Sequence, residues 1–170
     1  MSTAAIRRLV GCAAPLVLCG CVAAMPAPAR AIPGTGGGSG GTMSVAEETA
    51  EVARLVNEHR VRAGCRALVW DEAAARAAQA HSDDMARRNY FSHTSPEGRT
   101  MVDRLRAQGA PAYRLVGENI ATGQPNAREA VRSWLGSTGH RQNIENCGFT
   151  RHGVGLSAGR WTHVFYTPLQ

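Results

Sequence analysis

The sequence predicts an α+β fold, and three observations carry that reading. Capped segments of helical periodicity dominate the region before residue 140, and extended runs of alternating character follow it. A glycine-rich stretch near residue 40 precedes both and leaves ~130 residues, the size of one ordinary domain. Helices followed by antiparallel strands are the α+β pattern.

The elements follow in order. Ser44 and Glu47 form a capping box, and Val52, Leu55, Val56 and His59 recur at helical spacing, so a first helix runs to about Arg62. A second begins near Asp71 and carries Ala74, Ala77, Ala78, His81 and Met85 on one stripe, with alanines that permit close approach of a neighbour. A short third helix spans roughly 101–108 and stops at Gly109, reinforced by Pro111. The fourth starts with Asn126 as cap and Glu129 at the third helical position, and turns Ala130, Val131 and Trp134 inward. Beyond it, Val154 and Leu156 alternate with small residues, and Trp161, Val164 and Phe165 form a second extended run. Ala158-Gly159 joins them as a hairpin turn, and 115–121 is a candidate third strand.

Residues 1–31 read as an export signal: Arg7 and Arg8, an apolar stretch over 9–24 interrupted by Pro15, and Ala29-Arg30-Ala31 as a small-x-small cleavage site. The apolar stretch is short for a spanning helix, so any membrane association comes from the signal or from a lipid anchor. Leu18-Cys19-Gly20-Cys21 also looks like a lipobox, so release after Ala31 and lipidation at Cys21 are both open. Residues 32–43 form a flexible linker centred on Gly36-Gly37-Gly38-Ser39-Gly40-Gly41, too poor in apolar groups to offset its ordering entropy. The folded domain is 44–170.

The chain has 19 basic residues, all arginine, and a net charge of +6. The arginines alternate with acids rather than clustering, and no arginine-rich helix carries interleaved aromatics, so nucleic acid is not an expected partner. Cys12, Cys19 and Cys21 belong to the presequence, leaving Cys65 and Cys147 in the domain. An even pair in an exported chain suggests a disulfide, with two separate buried thiols as the alternative.

Three polar islands stand out in order: Phe91-Ser92-His93, then Gly117-Glu118-Asn119-Ile120-Ala121, then Trp134 followed by Gly139-His140-Arg141-Gln142-Asn143-Ile144. With the first helix, they resemble the CAP superfamily of cysteine-rich secretory, antigen 5 and pathogenesis-related proteins, in its short bacterial secreted form. The resemblance covers about residues 46–167. It implies an α-β-α sandwich with a small antiparallel sheet between helices.

His93 opens a turn-forming loop behind Tyr90 and Phe91, a position that faces a cleft with an imidazole able to change charge near neutral pH; a structural histidine is the alternative. Glu118 lies in an apolar stretch and needs a partner, for which His93 and the following loop backbone are the natural choices. Larger members of the family carry a tetrad of two histidines and two glutamates that can hold a divalent metal. His93 and Glu118 match half of it. Ser137 stands at the place of the second glutamate, Arg160 at that of the second histidine, and His163 where glutamine is typical.

A guanidinium facing the cleft repels a dication, so no metal or other cofactor is expected; if one bound, His93, Glu118 and His140 would hold it. Arg160, if it enters the cleft, pairs with Glu118. His140 is expected to line the same cleft or to cap the fourth helix. His59, His81 and His152 read as structural or exposed.

No nucleophile elbow, zincin motif or phosphate-binding glycine loop occurs, and Ser137 with His140 has the spacing of a cap and turn. The resulting expectation is an exported, envelope-associated or extracellular binding module for a small apolar or amphipathic ligand or a wall component. A metal-assisted or His93/Glu118 acid-base hydrolase is the alternative, and a structural or adhesive protein with a vestigial cleft the second. Catalytic residues and oligomeric state are not legible.

Overall fold

A computed structural model describes residues 43–169. The export signal, the lipobox at Cys21 and all of the glycine linker except Met43 lie outside the described residues. The elements run α1 (Val45–Arg62), β1 (Val69–Trp70), α2 (Glu72–Arg88), α3 (Met101–Ala107), β2 (Tyr113–Thr122), α4 (Ala127–Gly136), α5 (Thr138–Glu145), β3 (Arg151–Ser157) and β4 (Arg160–Pro168).

Helix starts follow their caps. Ser44 and Glu47 form a reciprocal capping box, as do Thr100 and Asp103, while Asp71 and Asn126 accept from the backbone of Ala74 and Glu129. α2 ends at Asn89 in the left-handed conformation, φ 51°. The β3–β4 hairpin turns on Ala158 and Gly159, both at positive φ, as a tight two-residue connection requires.

The strands form one sheet in the order β1-β3-β4-β2, with β2 and β3 antiparallel to β4. β1, which the pattern reading missed, pairs parallel with β3, so the sheet is mixed rather than wholly antiparallel. Its two residues are both exposed and give no alternation to read. α5 was missed too, because Ile144 is its single buried residue.

Helices cover both faces, giving three layers. α2, with α3 beside it, packs on β3 and β4; α1, α4 and α5 cover the other face. β4 shows the alternation clearly. Val164 and Tyr166 join Ala74, Ala77, Ala78 and Leu105, while Trp161 and Phe165 join Val52, Val56, Trp134, Ile144 and Phe149.

The α2 layer sits unusually close. A Cβ on Gly153 would fall 2.0 Å from the Ala75 backbone nitrogen, and one on Gly155 2.3 Å from that of Gln79. Glycine is therefore required in β3 at these places, and the alanine stripe of α2 is its counterpart. Cys65 and Cys147 are joined, 82 residues apart, tying the chain after α1 to the chain after α5. Closing a loop of that length stabilises by about 4–5 kcal/mol in the chain-entropy picture.

Candidate functional site

Glu118 belongs to edge strand β2 and opposes Val164, so its side chain falls on the α2/α3 face. There it has two partners. Oε1 meets His93 Nδ1 at 2.8 Å, and Oε2 accepts from Arg104 Nη2 at 2.7 Å. Glu118 and Arg104 are buried, whereas the His93 side chain is 55% exposed. The carboxylate thus holds His93 by one nitrogen and leaves Nε2 directed away from the pair.

Arg104 also donates to the backbone carbonyls of Arg99 and His93. His81, buried in α2, bonds the Ser92 carbonyl at 2.9 Å. Burial lowers the affinity of His81 for a proton, and the Arg104 guanidinium adds to this. These contacts pin the loop that carries His93. Tyr90 takes part through its hydroxyl, which donates to Asp84, whereas Phe91 is exposed.

On the other face, α5 docks against the same strand through asparagines. Asn119 Nδ2 donates to the His140 carbonyl at 3.0 Å, and Asn143 Nδ2 donates to Asn119 Oδ1 and to the Glu118 carbonyl. Asn119 thus reaches α5 rather than its local backbone. His140 is half-buried, and its pKa is lowered first by burial and then by the neighbouring His93. β2 therefore has a histidine from each layer beside its edge.

Two expected site residues lie elsewhere. Arg160 opposes Thr122, four residues along β2 and roughly 13 Å from Glu118 at the strand rise. Its guanidinium donates to Asn89 at 3.3 Å, so the pairing with Glu118 is corrected: Arg104 provides it. His163 opposes Asn119 and points to the opposite face from Glu118, where it is fully buried between Trp134 and Phe165. It bonds His152 at 3.0 Å and has no surface to offer a ligand. Ser137 forms the junction of α4 and α5, and its side chain makes no capping bond.

Both Glu118 oxygens are engaged, one by a buried guanidinium, and His163 is sequestered, so the residues present do not fit a divalent ion. Among the described residues no group of three or more His, Cys, Asp or Glu side chains is placed to hold one.

Arg104, the buried partner of Glu118, is not singled out by the sequence. Arg104 and Arg106 both follow the Thr100 cap in a short helix, and only tertiary packing separates the buried one from the exposed one. A separate groove of about 470 Å3 lies between α1 and α4 and shares no residue with the His93 site. Leu55, Val131 and Leu135 line it, with Arg62, Arg128 and Arg132 alongside.

Residues 53–167 match the family model described as CAP, the cysteine-rich secretory protein family. The chain is 40% identical over 124 residues to the uncharacterized protein YkwD of Bacillus subtilis, covering 72% of this chain and 48% of that one. It therefore spans about half the length of that curated relative. Among solved structures, an extracellular SCP-domain protein from Bacillus anthracis superposes with a TM-score of 0.70 at 38% identity, covering 72% of this chain and 41% of that one. An outer surface protein of Borrelia burgdorferi gives 0.68 at 17% identity, covering 75% and 97%, a likeness of fold alone. These two neighbours are described as extracellular and outer-surface proteins, and among the described residues no helix is long and apolar enough to cross a membrane.

Proposed function

The chain belongs to the CAP, or cysteine-rich secretory protein, family, and from that premise we propose that it is an exported binding module of the cell envelope or extracellular space. It takes a small apolar or amphipathic ligand or a wall component, either at the face where His93 and His140 flank β2 or in the separate groove between α1 and α4. One observation carries this reading: the Glu118 carboxylate is saturated by Arg104 and His93, so its charge is spent on holding a recognition surface in place. The groove between α1 and α4 supports the amphipathic class, since its apolar floor is flanked by arginines suited to an anionic head.

A hydrolase is the second reading, favoured by a specific feature. Glu118 fixes His93 through Nδ1 and presents Nε2 outward, which is how a carboxylate orients an imidazole for general acid-base work. No activated nucleophile accompanies it among the described residues, so water would have to serve.

Co-sedimentation with purified peptidoglycan, and titration with a fluorescent fatty acid, test the two readings on the intact chain beside His93→Ala and Leu135→Arg. Saturable binding to either probe, weakened about ten-fold by one of the variants, is the expected result. Equal binding by all three chains overturns the assignment. Release of soluble fragments from the peptidoglycan, abolished in His93→Ala, replaces it with the hydrolase.

A further inference from the structure

The contacts of Glu118 fix which nitrogen of His93 carries hydrogen. Oε2 pairs with the buried Arg104 guanidinium at 2.7 Å, and Oε1 lies 2.8 Å from His93 Nδ1. A carboxylate paired with a guanidinium accepts hydrogen bonds and donates none, so the 2.8 Å contact requires a hydrogen on Nδ1. In a neutral imidazole that leaves Nε2 with a bare lone pair. Nε2 makes no hydrogen bond among the described residues and the His93 side chain is 55% exposed, so the lone pair is open to a donor from outside the chain.

The charges of the three linked groups sum to zero in this state. Arg104 and Glu118 cancel, and a neutral His93 adds nothing. A carboxylate or phosphate would set its own lone pairs against that of Nε2, and an ammonium would find the Glu118 charge already matched by Arg104. A hydroxyl fits, because it donates without bringing charge. The loop that presents the imidazole is also held still, with His81 on the Ser92 carbonyl and Arg104 on the His93 carbonyl. Phe91 in the same loop is 48% exposed, and chain connectivity keeps its Cα within about 7 Å of that of His93. An apolar ring near an uncharged acceptor suits a molecule with hydroxyls at its rim and C–H groups on its faces.

We propose that Nε2 of neutral His93 accepts a hydrogen bond from a hydroxyl of an uncharged sugar, the glycan part of a wall polymer. This rests on the reading that the His93 face takes a wall component, and it commits that ligand to the glycan rather than to a peptide with charged ends. Arg104 is a positioning residue here: by occupying Oε2 it leaves Oε1 to hold the imidazole by Nδ1.

The test is made on the intact chain at pH 8, above the ordinary imidazole range. Nitrogen-15 NMR of the His93 ring should show Nδ1 protonated and Nε2 bare, and N,N′-diacetylchitobiose should shift Nε2 saturably where acetate does not. His93→Ala should weaken the disaccharide at least about ten-fold, and Leu135→Arg, in the groove between α1 and α4, should leave it unchanged. In Glu118→Gln the amide oxygen goes to Arg104 and the amide NH2 faces Nδ1, so the ring hydrogen should move to Nε2. A hydrogen on Nε2 in the unaltered chain, one that stays on Nδ1 in Glu118→Gln, acetate bound as tightly as the disaccharide, loss of binding in Leu135→Arg, or no saturable shift at tens of millimolar overturns the proposal. If peptidoglycan still co-sediments in a His93-dependent way, the binding-module reading survives that result and only the glycan assignment falls; if it does not, both fall.

Discussion

The two faces of the sheet are filled by opposite means. On one, Trp134, Trp161, Phe149, Phe165 and the buried pair His152–His163 occupy the space between strands and helices with large side chains. On the other, α2 lies on Gly153 and Gly155 so closely that backbone meets backbone, and the polar Glu118–Arg104 pair sits at its margin. The first face is sensitive to what is removed, the second to what is added. The loop carrying His93 is attached to the second face, so its position is set by a layer with little freedom to move.

Substitutions on each side probe this contrast. Trp134 is fully buried and its indole donates to the Ile120 carbonyl, so Trp134→Ala should cost about 4 kcal/mol in urea unfolding, from cavity and lost bond together. A cost under about 1 kcal/mol would mean the aromatic face collapses into the gap. Gly153→Ala should cost about 3 kcal/mol, because the new methyl meets backbone atoms that cannot rotate away. A neutral result there would show that α2 shifts freely on the sheet, and the contrast would fail.

The third test uses pH and concerns the aromatic face alone. Burial, with the Arg60 guanidinium adding to it, lowers the pKa of His152 to about 4 from 6.5, and burial holds His163 well below its ordinary value. The unfolded chain therefore takes up protons first as pH falls. The stability contributed by a neutral His152 is fully present above 6.5 and is lost between 6.5 and 4, with a slope of up to about 1.4 kcal/mol per pH unit for one proton. His152→Phe should flatten that slope in urea midpoints measured from pH 7 to 4.5. An unchanged slope would assign the titration to the other histidines whose pKa is lowered, His163, His81 and His140.

Much of this architecture was legible because capping and turn chemistry are local. Ser44 with Glu47, Asn126 with Glu129, and Ala158-Gly159 each place an element boundary through groups a few residues apart. The alanines of α2 also announced close approach, though not that Gly153 and Gly155 would receive it. α5 was hidden because it docks by asparagine hydrogen bonds and one isoleucine, leaving no apolar period. At the site, His93 with Glu118 could be anticipated from an isolated carboxylate needing a partner. Which of many arginines completes the pair could not: Arg160 and Arg104 are alike in sequence, and only strand register and the placement of α3 decide between them.

The strand order carries a kinetic consequence. β4 is flanked by β3 and β2, yet it is the last of the four in sequence. β1 joins β3 with Val69 opposite Arg151, and among the described residues β2 has no neighbour in the sheet other than β4. During synthesis, then, no two strands that precede β3 can pair with each other, and the sheet assembles only after Arg160–Pro168 has emerged. Apart from the local β3–β4 hairpin, each strand pairing joins segments far apart in sequence, a topology that slows folding.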